Sequence, residues 1–140
     1  MRILFTTVII LIVTLSVSAQ DHQGAYIAFD RELHDYGELQ TDSLPDGTLK
    51  FMVYNQGSQP LVLSNVRGCC GTRVNDYTKA PIAPSDSGFV EVQFRLVPHP
   101  HRIRRTITIQ SNAANRQTAI LRVQGEVVES RGDLTLKEQD

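Results

Sequence analysis

The chain has 140 residues, with 14 basic and 15 acidic side chains and a formal net charge of −1 at pH 7. This balance argues against a partner that is attracted by the charge of the whole domain. Nucleic acid is not expected as a partner, because the chain is predicted below to be exported. The length is sufficient for one domain, which can bury roughly two-thirds of the surface of its unfolded chain.

The N-terminal segment has the pattern of a secretory signal peptide. Arg2 precedes an apolar run from Ile3 to Val17, and Ser18-Ala19 supplies the small residues of a cleavage site. The run is shorter than the ~20 residues that a membrane-spanning helix needs. We therefore predict a signal peptide over residues 1–19 and an exported protein, periplasmic or extracellular, that begins at Gln20 and has no membrane span. An uncleaved membrane anchor is the alternative.

Short runs of β-branched and aromatic residues recur along the rest of the chain, each closed by glycine, proline, asparagine or serine. This punctuation is typical of an all-β protein. The main predicted strands are Ala25 to Phe29, Thr48 to Tyr54, Leu61 to Val66, Phe89 to Leu96, Arg105 to Gln110 and Thr118 to Val128. Shorter strands are predicted at Leu33 to Tyr36 and at Lys79 to Ile82.

Apolar and polar residues alternate within several of these strands, as where Val90, Val92 and Phe94 alternate with polar neighbours. Such strands are half-buried and need a second apolar layer, so two sheets packed face to face are predicted. We therefore expect an all-β, immunoglobulin-like β-sandwich of seven to eight strands over residues 20–128. A flexible, charged tail is predicted over residues 129–140.

Short motifs mark the ends of the predicted strands. They are Phe29-Asp30, Asp35-Tyr36-Gly37, Asn55-Gln56-Gly57-Ser58-Gln59-Pro60-Leu61, Pro81-Ile82-Ala83-Pro84 followed by Gly88, and Ser111-Asn112. Their order resembles that of Hydin-like (ASH-type) immunoglobulin-like domains, and in particular a family of exported bacterial domains of unknown function. The resemblance covers most of the chain after the signal peptide. It implies the sandwich fold and a hairpin at Asn55 to Leu61, and it brings no established catalytic residues.

The two cysteines of the chain are neighbours, in Gly68-Cys69-Cys70-Gly71-Thr72. The family that the chain resembles carries a cysteine-glycine-cysteine-threonine motif here, so the spacing of the thiols differs. Ser85 likewise stands where glycine is common in that family. Adjacent α-carbons lie ~3.8 Å apart, whereas an unstrained disulfide needs ~4.4 to 6.8 Å, so a bond between these two cysteines is strained and easily reduced.

This cysteine pair has several interpretations. A redox switch uses the strained bond, and the flanking glycines provide the backbone freedom for it. A structural role places one thiol in the core and the other outward, with Arg67 or Arg73 lowering the pKa of an exposed thiol. Further alternatives are a bond to a partner chain and a soft metal ion, for which His99 and His101 are the candidate additional ligands.

A basic cluster surrounds the proline-flanked pair His99 and His101, which is predicted to lie at the tip of a hairpin. Its arginines are Arg95, Arg102, Arg104 and Arg105. Two interpretations are open, namely contact with an anionic surface and protection of a solvated sheet edge.

The sequence contains no recognisable catalytic motif. No serine stands in a nucleophile elbow, and no glycine-rich phosphate loop opens a helix. We therefore expect no enzyme activity and no cofactor. The leading hypothesis is an exported, non-enzymatic immunoglobulin-like module that acts through contact with an envelope or surface protein. The alternative is a thiol-redox or soft-metal-binding protein that uses Cys69 and Cys70.

Overall fold

The computed structural model describes residues 22–131. This part of the chain contains eight β-strands joined by loops. The strands are β1 (Ile27–Phe29), β2 (Leu33–Gln40), β3 (Thr48–Asn55), β4 (Leu63–Gly68), β5 (Thr72–Tyr77), β6 (Ser87–Phe94), β7 (His101–Ser111) and β8 (Thr118–Val128). The predicted signal peptide and residues 132–140 of the predicted tail lie outside the described residues. Among residues 22–131 no helix has the length and apolar character needed to cross a membrane.

The strands form two four-stranded sheets. Sheet I has the order β1-β3-β6-β5, and sheet II has the order β2-β8-β7-β4. β2 pairs with β8 in parallel, whereas the other strand pairs are antiparallel. Most connections cross from one sheet to the other, and β5–β6 and β7–β8 are the consecutive strands that pair directly. This arrangement confirms the predicted immunoglobulin-like β-sandwich.

The core lies between the inner faces of the two sheets. Alternate residues of the central strands are buried there, because successive side chains of a strand point to opposite faces. Sheet I and sheet II contribute Phe51, Val53, Val90, Val92, Ile107, Ile109, Leu121 and Val123, each at most 1% exposed. Burial of one such side chain contributes roughly 1.5–3 kcal/mol, so this interior is the main source of stability.

The predicted strand at Lys79 to Ile82 is wrong. In this segment Ile82 makes a single bridge to Leu61, and the strand of this region is β5, which lies earlier in the chain. β5 is an edge strand with a bulge between Val74 and Asp76, so it buries few side chains and has a weak apolar pattern. β2 and β7 are both longer than predicted.

Two connections that were expected to be hairpins instead cross between the sheets. The motif Asn55 to Leu61 links β3 of sheet I to β4 of sheet II. The segment around His99 likewise links β6 of sheet I to β7 of sheet II, and His101 is the first residue of β7. Turn residues mark where a strand ends, but they do not tell which sheet the next strand joins.

Buried Asn55 holds one end of the sandwich together. Its Oδ1 accepts hydrogen bonds from the N–H groups of Tyr26 (3.3 Å) and Gly57 (3.0 Å). Its Nδ2 donates to the carbonyl oxygens of Gln59 (2.7 Å) and Ile82 (2.9 Å). One side chain therefore joins the β3–β4 and β5–β6 connections and the segment before β1.

Two further asparagines act in the same way at this end. Asn112 accepts from the Val62 N–H at 2.8 Å and donates to the Pro60 carbonyl at 3.1 Å. Asn115 accepts from the N–H of Ile27 at 3.0 Å and donates to its carbonyl at 2.9 Å. We call this region, comprising residues 55–62, 78–86 and 112–117, the asparagine end.

Candidate functional site

The cysteines form a tight turn at the opposite end of the sandwich, where the chain passes from β4 to β5. The Thr72 N–H donates to the Cys69 carbonyl at 2.9 Å, and the φ angles of Cys70 and Gly71 are 53° and 78°. Positive φ at both central residues defines a type I′ turn, in which glycine is favoured and cysteine is unusual. We call residues 69–72 the cysteine turn.

The Cys69 thiol takes the place of a backbone acceptor. In the β4–β7 register Gly68 lies opposite Ile107, so Cys69 lies opposite Thr106, and its N–H donates to the Thr106 carbonyl at 3.0 Å. In an antiparallel ladder the Thr106 N–H would return this bond to the Cys69 carbonyl. That carbonyl closes the turn instead, and the Thr106 N–H donates to the Cys69 Sγ at 3.3 Å.

The two thiols are both free and lie in different environments. Cys69 is partly buried and Cys70 is exposed. Hydrogen bonding from Thr106, followed by that from Cys70, lowers the pKa of the Cys69 thiol, and the charge of Arg105 acts in the same direction. The hydrogen bond to Cys69 raises the pKa of Cys70. Arg105 thus has the electrostatic role that the sequence suggested for Arg67 or Arg73.

Arg105 reaches the cysteine turn from the inner side of sheet II. It lies two residues from each of the buried residues Ile103 and Ile107 along β7, so its side chain starts on the same inner face. Its Nε is buried without a hydrogen-bond partner among residues 22–131, and so is the Oγ1 of Thr72 in the turn. Unpaired buried polar atoms are costly, so this corner of the sandwich is less completely satisfied than the asparagine end.

The four arginines of the predicted basic cluster do not share one surface. Arg102 and Arg104 are exposed on the outer face of sheet II, whereas Arg105 is directed to the other side of β7. Arg95 follows β6 of sheet I and lines a groove with Gly71 and other residues. The structure therefore brings together Arg102 and Arg104 on one face, places Arg105 beside the thiols, and puts Arg95 in a groove that includes Gly71 of the cysteine turn.

Sequence reasoning missed an exposed apolar pair on the outer face of sheet II. Leu33 on β2 and Ile120 on β8 are 47% and 41% exposed. Leu33 lies opposite Arg122, two residues beyond Ile120, so the two apolar side chains are diagonal neighbours. Arg67 joins this face because it lies opposite Thr108, which lies opposite Ile120. The sequence signal for this pair was an apolar residue, in β2 and again in β8, at a position that the alternation of the strand assigns to the outer face.

The histidines do not join the cysteines. The Nδ1 of His101 lies 2.7 Å from the His99 carbonyl oxygen, and the two rings pack edge to face with centroids 5.1 Å apart. His101 is five residues from Thr106 along β7, which is roughly 16 Å in an extended strand. Within the described residues no three His, Cys, Asp or Glu side chains are grouped so that they could hold a metal ion.

The fold and this corner define an immunoglobulin-like β-sandwich module with a vicinal thiol turn. The family described as "Protein of unknown function (DUF1573)" matches residues 27–127, which is more than half of the chain. The chain belongs to this family, and the resemblance seen in the sequence is confirmed. No curated protein matches the chain.

Several solved structures share the fold. A protein of unknown function from Porphyromonas gingivalis gives a TM-score of 0.56 at 16% identity, covering 81% of this chain and 51% of that one. The secreted serine protease VesC from Vibrio cholerae gives 0.60 at 13% identity, covering 80% and 25%. The VesB protease from Vibrio cholerae gives 0.52 at 16% identity, covering 72% and 31%. The chain thus spans about half of the first protein and a quarter of the second.

Proposed function

We propose that this protein is an exported, non-enzymatic binding module that contacts an acidic surface of another envelope protein through the outer face of sheet II. The observation that carries the proposal is the neighbouring exposed pair Leu33 and Ile120, bordered by Arg122. Single exposed apolar residues are common on protein surfaces, whereas adjacent ones within a charged border are typical of interaction sites.

The charges of this face favour an acidic partner. The face carries four arginines, Arg67, Arg102, Arg104 and Arg122, and three carboxylates, Asp35, Glu38 and Glu126, so positive charge is in slight excess. None of the four arginines takes part in the close ion pairs found among residues 22–131. Arginine that is outside a close ion pair can donate hydrogen bonds to carboxylates of another protein, and it is enriched at protein interfaces.

The size of the face suits a transient contact. Four strands about 4.8 Å apart give a width of roughly 19 Å, and a length of about 30 Å gives an area on the order of 600 Å². A stable complex usually buries about 800 Å² on each partner. We therefore expect a weak interaction that depends on salt, because exposed charges are screened within about 10 Å at 0.1 M ionic strength.

Site-specific crosslinking tests this face. A photo-crosslinking residue placed at Ile120 should capture an acidic envelope protein in living cells. The matched control is Tyr54, which is 37% exposed and lies on the outer face of sheet I. Capture at Ile120 that is absent at Tyr54 and is reduced by Arg104→Glu supports the proposal. Equal capture at both positions, or none at Ile120, contradicts it.

Export is tested separately by the mass and location of the expressed chain. The proposal requires a processed form that begins at Gln20 and appears in the periplasmic or extracellular fraction. A chain that retains residues 1–19 and stays in the cytoplasm would contradict export. The binding face is judged by the crosslinking experiment alone.

Thiol chemistry at the cysteine turn is a second candidate function. It is favoured by the exposed Cys70, which has a positive φ where glycine is favoured, directly beside the hydrogen-bonded thiol of Cys69. Alkylation followed by intact-mass measurement of the exported form is the test. Thiols that react in the folded protein support this candidate, whereas thiols that react after unfolding alone would reduce the turn to a structural element.

A further inference from the structure

We infer that the cysteine turn binds one monovalent soft metal cation of the copper(I) type through the Sγ atoms of Cys69 and Cys70. This inference rests on the second proposed function and names its ligand. The two sulfurs belong to adjacent residues of one turn, and the outer one is exposed to solvent. An entering ion can therefore reach both without movement of the sheets.

The backbone geometry suits a bridging ion better than an internal disulfide. Adjacent α-carbons are ~3.8 Å apart, below the ~4.4 Å at which unstrained disulfides begin. A metal ion between two thiolates holds the sulfurs much farther apart than a sulfur–sulfur bond of about 2.05 Å does. The ion therefore requires less distortion of the type I′ turn than oxidation of the same two thiols.

The surroundings favour an anionic complex. Binding releases both thiol protons to solvent, and two thiolates with one monovalent cation carry a net charge of −1. The Thr106 N–H already points at the Cys69 Sγ at 3.3 Å, and hydrogen bonds to ligand sulfurs are a common outer-shell support of metal thiolates. Arg105, the residue before Thr106 on β7, supplies a compensating positive charge beside the turn.

The number of ligands selects the ion. Zinc takes four protein ligands in structural sites and three in catalytic ones. Among residues 22–131 no third His, Cys, Asp or Glu side chain is grouped with the two thiols. Two sulfurs alone suit a soft monovalent ion, because thiolate ligands select copper(I) and carboxylate ligands select harder cations.

Copper(I) titration of the exported form, purified under reducing conditions, tests the site. The probe is copper(I) delivered as its coloured complex with bicinchoninate, and transfer to the protein is followed by loss of that colour. We expect one ion per chain. Cys69→Ser and Cys70→Ser should each weaken binding by more than about 100-fold, since even an outer-shell partner is worth about 10- to 100-fold.

A His99→Ala, His101→Ala double variant is the matched control, and it should bind like the parent. Because Cys70 is exposed, Cys70→Ser leaves the core intact, which circular dichroism can check. Binding that survives both serine variants, or is lost in the histidine variant, overturns the inference. Thiols that alkylate readily but do not take copper(I) also overturn it, and they leave the broader thiol function standing.

Discussion

The asparagine end and the cysteine turn lie at opposite ends of the sandwich and solve the same problem differently. At the asparagine end, each amide atom of the buried Asn55 has its hydrogen-bond partners in neighbouring loops. At the cysteine turn, one backbone N–H is paired with a thiol, and Thr72 and Arg105 each keep a buried polar atom without a partner among residues 22–131.

This difference separates a region built for stability from one suited to chemistry. Unpaired buried groups and unfavourable backbone angles cost on the order of 1–3 kcal/mol each, and they tend to persist at functional sites. The loops around Asn55 expose no reactive group of the kind found at Cys70. The cysteine turn gives up local stability and presents two thiols to solvent.

The largest effect is expected at Asn55. Asn55→Ala removes the hydrogen-bond partner of the Tyr26 and Gly57 N–H groups and of the Gln59 carbonyl. The Ile82 carbonyl loses one of its two donors and keeps the N–H of Leu61. We expect a loss of about 4 kcal/mol in the free energy of unfolding, measured by denaturant titration.

Asn65→Ala is the control for this prediction. Asn65 makes an exposed side-chain hydrogen bond to Gln110 at 3.3 Å, so its removal should cost less than about 0.5 kcal/mol. Similar costs for the two asparagines would remove the distinction between the asparagine end and the rest of the surface.

Cys69→Ala should have a smaller effect at the other end. The Thr106 N–H loses its sulfur acceptor, and we expect destabilisation by about 1 kcal/mol. Cys69→Ser keeps an acceptor atom and should cost less than the alanine variant. A loss as large as that of Asn55→Ala would show that the cysteine turn is itself a principal support of the fold.

Ser85→Gly should stabilise the protein. Ser85 belongs to the asparagine end, because its N–H donates to the Asn55 carbonyl at 2.9 Å. Its φ is 65°, which is unfavourable for a residue other than glycine. The strain energy that glycine removes at this left-handed φ is larger than the conformational entropy that it adds to the unfolded chain. We therefore expect the free energy of unfolding to rise by about 0.5 kcal/mol in denaturant titration. Destabilisation would mean that the Ser85 side chain makes a compensating contact.

The ion pair between Arg116 and Glu32 should give the smallest effect, with a defined pH dependence. The hydrogen bond from Arg116 lowers the pKa of Glu32 in the folded protein. The pair therefore stabilises the fold at pH values above the pKa of Glu32 in the unfolded chain. This stabilisation is lost as the pH falls through the lowered pKa of the folded state. Because both side chains are partly exposed, Arg116→Ala should cost less than about 0.5 kcal/mol at pH 7. A cost that persists in acid, below that pKa, would contradict this origin.

The apolar alternation predicted most of the fold. It located β3, β6 and β8 closely, because their inward residues are almost fully buried. It missed β5 because Val74 and Tyr77 are its half-buried apolar residues and the remaining side chains are polar. The parallel pairing of β2 with β8 joins segments far apart in the sequence, and no local pattern reports such a contact.

The candidate site was predicted in part. Adjacency singled out Cys69 and Cys70, and the glycine flanks indicated a turn. The contact with Thr106 depends on the register between β4 and β7, so the sequence could not supply it. The role of Arg105 depends on which side of β7 it occupies. Ser85, where the resemblance suggests glycine, has a positive φ, which is a physical reason for glycine at this position.

The most direct test of the division between the two ends is a paired measurement on Cys70→Gly. Glycine is favoured at the φ of 53° found here, so the variant should be more stable than the parent by about 0.5–1 kcal/mol in denaturant titration. The same variant should lose copper(I) binding in the bicinchoninate assay. A variant that is less stable than the parent, or that still binds copper(I) as the parent does, would contradict the account.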